Sequence, residues 1–190
     1  MPLDDLVHAQ AATSRLLAAL EPDGWHRPTP CPGWSVADVV RHLTVGDRAF
    51  TVSLAGRPYD LPALTAELAP VAVGDLPAAY DAGAARLREA LAAADPAAVF
   101  PTGIGPMPSG HVAELRTIEA LAHGWDVAQG TGADLAVDED VAERAIAHSL
   151  ALIERLPPDR TPFAPPQPVA DDAPALDRLV ALLGRSVVSD

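Results

Sequence analysis

Residues 116–132 read RTIEALAHGWDVAQGTG, and the reading of this stretch decides the fold. It is an Ala-rich amphipathic segment, predicted to close a helix that runs from about residue 110 to 129, with Gly130 as the C′ residue. Within it Glu119 and His123 are four residues apart. Side chains at that spacing are offset by only about 40° and about 6 Å of rise, so they point the same way. One helix face thus offers a carboxylate oxygen and an imidazole nitrogen together.

Working outward, the remaining pattern is helical as well. Aromatic content is 4% and period-two alternation is absent, so strands are not expected to dominate. Residues 3–20 place Leu3, Leu6, Val7, Leu17 and Leu20 at helical spacings. The segment EPDGWHRPTPCPGW (21–34) reads as loop, because its prolines remove donors and disfavour helix before them. Ser35 is the expected N-cap of a second helix, with Asp38 completing a variant of the capping box. Val36, Val39, Val40, Leu43 and Phe50 carry that helix to about residue 54. Residues 55–74 form a long Gly/Pro-bearing link that carries the chain along the bundle. Asp75 is the expected cap of a third helix to about residue 94. Residues 95–110 are loop with a short extended piece. A fifth helix spans about 138–156, stopped by Pro157 and Pro158, and a proline-rich tail (157–175) precedes a last short helix, ALDRLVALLGR. Four principal helices with one long crossover predict an all-α bundle, a single domain over 1–190 with its core at about 1–156 and a tail at about 157–190.

Composition narrows the function. The chain carries a net charge of −13 with 13 basic residues, all of them Arg and scattered singly. That repels phosphate backbones and anionic lipid surfaces, so neither nucleic acid nor a membrane is an expected partner. No apolar run approaches the roughly 20 residues needed to span a bilayer, and the acidic start MPLDDLVHAQ is unlike a signal peptide. The only cysteine is Cys31, which suits a reducing compartment. The expected location is the cytoplasm. An acidic, Ala-rich helical surface fits a monomer or a homodimer.

Two ligands on one helix do not close a metal site. His42 in DVVRHLTVGDRAF is the candidate third ligand: it lies three residues after Val39, bordering the apolar stripe. Gly46, one turn later, is expected to leave room beside the imidazole for a ligand. A His₂Glu set leaves a coordination position open, as in catalytic zinc sites. On residues alone, each of these side chains also has an ordinary reading as a hydrogen-bonded boundary or surface residue. Trp34 and Trp125 read as core fillers rather than pocket walls. Asp126, three residues after His123, reads equally as a hydrogen-bond acceptor behind a ligand imidazole or as a backbone cap or Arg partner. Cys31 reads as a buried structural thiol rather than a metal or redox thiol. Arg185 reads as a surface charge, unless the tail folds over the bundle to meet an anionic thiol or substrate. His8, His26, His111 and His148 have no partner at ligand spacing, and His111 lies about 18 Å from His123 by helix rise.

The segments TPCPGWSVADVVRHL (29–43) and IEALAHGWDVAQGTG (118–132) resemble the two signature segments of the DinB-like proteins. They are most similar to the branch related to the N-terminal domain of mycothiol-dependent maleylpyruvate isomerase, a branch typical of actinobacteria. The tail VADDAPALDRLVALLGR (169–185) resembles the ending of a subgroup described only as metal-binding proteins. The resemblance implies an up-down-down-up four-helix bundle, here with additional C-terminal helices. It implies a divalent metal, zinc or nickel, on His42, Glu119 and His123. Characterised members use mycothiol or bacillithiol in isomerase or S-transferase chemistry, with a metal-bound thiolate or water as the reactive group. The expected partners are therefore a small thiol and a small electrophile. Maleylpyruvate isomerase has a second, C-terminal domain that contributes to its site, for which this chain has no room, so maleylpyruvate isomerisation itself is not expected and general thiol-transferase chemistry stays open. The alternatives are a non-enzymatic metal-binding or sensing bundle, or a metal-free bundle that binds a protein partner.

Overall fold

The computed structural model describes residues 2–103, 105–155 and 163–187. Its elements in chain order are helices α1 (Pro2–Ala18), α2 (Val36–Leu54), α3 (Leu61–Leu68) and α4 (Leu76–Ala93), strands β1 (Val99–Phe100) and β2 (Met107–Pro108), and helices α5 (Ser109–Thr131), α6 (Glu139–Arg155) and α7 (Ala175–Leu182).

The long helices α1, α2, α4 and α5 form the bundle. Their directions follow from which residues share a core. Leu16 and Leu17 near the end of α1 pack with Val36, Val39 and Leu43 at the start of α2, with Leu76 and Tyr80 at the start of α4, and with Val127 near the end of α5. At the opposite pole Leu6, Leu54, Leu87, Leu91, Val112 and Leu115 meet. Hence α1 and α5 run one way and α2 and α4 the other, the up-down-down-up order. The parallel pair α2 and α4 needs a crossover, and the β1–β2 ribbon, antiparallel with Phe100 opposite Met107, turns the chain from α4 into α5.

Outside the bundle, α6 and α7 pack on α5 and on each other. A third core joins Ile118, Leu121 and Trp125 of α5 to Val141, Ala145, Leu179, Val180 and Leu183. The central helix α5 is therefore covered on nearly every side, and its buried face includes Arg116, His123 and Asp126. Helices buried all round show weak amphipathicity, and polar groups on them need partners.

Several local expectations hold in detail. Ser35 caps α2 reciprocally: its hydroxyl accepts from the Asp38 N–H at 3.3 Å, while Asp38 Oδ2 accepts from the Ser35 N–H at 3.0 Å. Others are corrected. The link 55–74 contains α3, begun by Asp60, whose side chain accepts from the Ala63 N–H at 3.1 Å, and anchored by buried Leu68. Asp75 occupies the N-cap position of α4 but makes no capping hydrogen bond, because a 3-10 turn over Val73–Asp75 leads directly into the helix. The helix end expected at Gly130 lies at Gly132, whose φ is 72° and whose N–H reaches the Ala128 carbonyl. Pro157 and Pro158 lie outside the described residues.

Gly130 instead sits inside α5, where a Cβ would come within 2.7 Å of the Pro28 carbonyl oxygen and 3.3 Å of Thr29 Cγ2. It lets the 28–35 loop lie directly on the helix. Gly130→Ala is expected to destabilise the protein by about 1–3 kcal/mol through overpacking against backbone that cannot rotate away. Urea unfolding measures this, and an unchanged midpoint would show that the loop does not seat there.

Candidate metal centre

The 28–35 loop is held as a tight turn. Pro28 and Ser35 form an isolated bridge, Thr29 N–H reaches the Trp34 carbonyl at 3.1 Å, and Trp34 N–H reaches the Cys31 carbonyl at 3.0 Å. This turn sets Cys31 and Trp34 at the mouth of a cavity of about 670 Å³, whose walls include His42, Glu119 and His123. That is a volume suited to a small-molecule ligand.

The three residues picked out by spacing and resemblance come together. His42 Nε2 lies 3.2 Å from Glu119 Oε2, and His123 Nε2 lies 3.6 Å from the same oxygen. The two imidazoles meet edge to face at 4.8 Å between centroids. One donor atom from each residue lies within 4.8 Å of the others. The side chains are 40%, 19% and 10% exposed for His42, Glu119 and His123, a gradient from the cavity mouth inward.

Behind His123 stands Asp126, wholly buried, whose Oδ2 accepts from His123 Nδ1 at 2.9 Å. Of its sequence readings two are observed together: it pairs with an arginine, Arg185, and it accepts behind the imidazole. This contact places the proton of a neutral His123 on Nδ1 and leaves a lone pair on Nε2. Nε2 then faces Glu119 Oε2, another lone-pair atom, with no hydrogen between them. Two acceptors converging in this way on a cavity wall fit a cation, and the mixed imidazole–carboxylate set fits a divalent ion of the zinc–nickel type.

Burial pushes the Glu119 pKa up, but the hydrogen bond from His42 and the charges of His123 and Arg116 outweigh it, holding the carboxyl down at about 2. Asp126 is also held at about 2: burial raises it, and hydrogen bonds from His123 and Arg185 prevail. Both folded values lie below the unfolded range near 4. Each ionised carboxylate therefore stabilises the metal-free fold above that range, and the contribution is lost as pH falls toward 2. The urea midpoint of metal-free protein is expected to fall steeply between about pH 4.5 and 2.5, and less steeply in Asp126→Asn. A midpoint flat across that window would contradict the pairing described.

Four expectations are overturned here. Gly46 does not leave room for a ligand: a Cβ there would lie 2.6 Å from Arg116 Nη1, so the space holds that guanidinium. Trp34 is not a core filler. It is 37% exposed, tilted against His42 at 5.0 Å and stacked over His123 at 6.1 Å, whereas Trp125 is buried as expected. Cys31 is not buried but half-buried: it lines the cavity, donates to Asp126 Oδ2 at 3.0 Å and lies 3.7 Å from His123 Nδ1. Burial, reinforced by Asp126, pushes its pKa to about 12, so it stays a neutral donor. Arg185 is not a surface charge. Its Nη2 donates to Asp126 Oδ2 at 2.9 Å and its Nε to Oδ1 at 3.3 Å.

Arg185 arrives because the tail folds over the cavity. Gly184, with φ of 91°, turns the chain after α7, and Arg185 N–H returns to the Val180 carbonyl at 2.9 Å. Phe163, Ala164 and residues 183–186 close one wall. Cys31, His123 and Asp126 form a second group of potential donors, but the Arg185 guanidinium occupies its flank, with Nη2 3.9 Å from Sγ. The other histidines stay apart: His8 faces Asp138, His111 and His148 flank Glu114, and His26 is exposed. Among the described residues no helix is long and apolar enough to cross a membrane.

Sequence reasoning missed the pair behind Glu119. Arg116 and Asp47 are both buried and joined Nε to Oδ1 at 2.9 Å. The mid-helix glycine at 46 was the trace of this pair, since such a glycine marks a close approach.

Comparison with known proteins bears on the family and the fold. A family model for the mycothiol maleylpyruvate isomerase N-terminal domain matches residues 6–128, a span that holds all three candidate ligands. The uncharacterized protein Rv0738 of Mycobacterium tuberculosis is 33% identical over 188 residues, covering 98% of each chain. A second protein of that organism, the uncharacterized protein Rv0036c, is 30% identical over 147 residues, 70% of this chain and 56% of its own. The crystal structure of mycothiol-dependent maleylpyruvate isomerase superposes with a TM-score of 0.58 at 17% identity, covering 77% of this chain and 66% of that one. At that identity the likeness speaks to the fold. By the match over most of its helical bundle and its near full-length relatives, the chain belongs to the mycothiol maleylpyruvate isomerase N-terminal domain family.

Proposed function

We propose that the protein holds a divalent metal ion on His42, Glu119 and His123 and uses it to join a low-molecular-weight thiol, of the mycothiol class, to a small electrophile. The observation that carries this reading is the convergence of three donor atoms, two of them facing lone pairs, on the wall of a ligand-sized cavity. Zinc is the expected ion and nickel the alternative, and when bound it supplies Lewis acidity that lowers the pKa of a thiol or water beside it.

The chain's own residues do the rest. Asp126 accepts the Nδ1 proton of His123 and so fixes which nitrogen faces the cavity. Arg185 keeps Asp126 ionised. Trp34 packs against both imidazoles, and with Phe163 and Leu183 it gives the electrophile an apolar wall. The chemistry balances without a redox partner. The thiol S–H bond breaks and an S–C bond forms as the electrophile's C=C π bond or carbon–halogen bond breaks, and the proton passes to the α-carbon or leaves with the halide.

Protein purified without a His-tag is expected to carry close to one divalent ion per chain by elemental analysis. Metal-loaded protein is expected to consume mycothiol in the presence of at least one member of a panel of α,β-unsaturated carbonyls and activated halides. Bound metal without turnover against the panel would leave a metal-binding bundle that is not an enzyme. No bound metal would remove the centre itself.

A further inference from the structure

The buried pair Arg116–Asp47 lies outside the donor set but touches it. Arg116 Nη1 is 3.7 Å from Glu119 Oε2, the oxygen that both histidines face. Its Nε donates to Asp47 Oδ1 at 2.9 Å and its Nη2 to the Leu43 carbonyl at 3.0 Å. The second oxygen of Asp47 accepts from Gln10 Nε2 at 3.0 Å, and Gln10 Oε1 accepts from Arg88 at 2.8 Å. This chain of contacts draws on all four bundle helices and ends at Glu119. Burial pushes the Asp47 pKa up, but Arg116 and Gln10 pull against it. Both its oxygens accept, so the network is satisfied by a carboxylate.

A guanidinium beside a metal-ligating carboxylate works against the metal. In a low-dielectric interior it repels a divalent cation strongly and competes for the same oxygen. Asp47 removes both effects: it cancels the charge and holds Nε and the guanidinium plane away from Glu119. Gly46 supplies the room for this, since any Cβ would strike Nη1. We propose that Asp47 is a positioning residue for the metal centre, acting through Arg116 to leave the Glu119 carboxylate free for a divalent cation. This rests on the metal reading above.

The test is zinc affinity and stoichiometry, measured by competition with a chromophoric chelator, for the full chain and two variants. Asp47→Asn leaves the Arg116 charge unbalanced and is expected to weaken zinc binding about tenfold or more with one site retained. The double variant Asp47→Asn/Arg116→Met removes the unbalanced charge and is expected to return affinity to within about threefold of the native chain. A residue that matters only for packing predicts the opposite order, since the double variant departs further from the native core. Folded Asp47→Asn with native affinity would overturn the proposal, as would a double variant ten times weaker than the native chain. The latter comparison stands even if the single variant does not fold, because removing a buried ion pair whole is tolerated better than breaking it. A native chain that binds no zinc would fail the metal reading instead.

Discussion

Glu119→Ala is expected to cut bound divalent metal to below about a tenth of the native amount in protein purified side by side, because a three-residue donor set has no redundancy. The carboxylate is also the one anionic member of the set, and its Oε2 is the atom that His42, His123 and Arg116 all face. Removing it leaves two imidazoles and no anionic ligand, too few donors to hold a divalent ion in a tetrahedral site. A second readout is independent of purification history. A ligand that binds only the folded state raises stability by RT ln(1 + [L]/Kd), about 2.7 kcal/mol at a hundredfold excess over Kd. Zinc added to metal-free native protein should therefore raise the melting temperature by several degrees, and added to Glu119→Ala it should not. Equal shifts in both would place the ion elsewhere. His42→Ala and His123→Ala are expected to follow Glu119→Ala in metal content.

The largest loss of stability is expected from Arg116→Met. Arg116 and Asp47 are 3% and 1% exposed at their side chains, and Met leaves the carboxylate in the interior with Gln10 as its remaining partner. Breaking a buried pair on one side costs about 3–5 kcal/mol, a large fraction of the 5–15 kcal/mol that holds a typical domain together. Urea unfolding at neutral pH measures the loss. The double variant Asp47→Asn/Arg116→Met should recover most of it, since an amide can be buried at far lower cost than an unpaired charge. If both variants are equally unstable, packing of the guanidinium plane rather than its charge is what the core requires.

The bundle was legible because periodicity and caps are local properties. Ser35 and Asp38 announce the start of α2 within four residues, and the reciprocal hydrogen bonds follow from that spacing. Helix α3 gives little sequence signal because only Leu68 of it is buried, so it lacks an apolar stripe and shows only its Asp60 cap. The end of α5 is ambiguous in sequence by two residues because two glycines, 130 and 132, compete for the role. What separates them is the Pro28 carbonyl, a neighbour distant in sequence. The same distinction runs through the site. Glu119 and His123 share one helix turn, and His42 sits on the border of an apolar stripe, so spacing could propose all three. Arg185, Cys31 and Trp34 needed the tail to fold over α5 and the 28–35 loop to seat on Gly130, long-range events without a local pattern. Arg116 was hidden for another reason: an arginine reads as solvated until its Asp47 partner is known to be buried with it.

Of the three tryptophans, Trp25 and Trp125 are 4% exposed, while Trp34 alone is open to solvent and lies 5.0 Å from the His42 ring. The molecule thus carries its own optical reporter. Its red-edge fluorescence belongs to the indole beside the imidazole pair, so titration with nickel should quench that component while the blue emission of the two buried indoles persists.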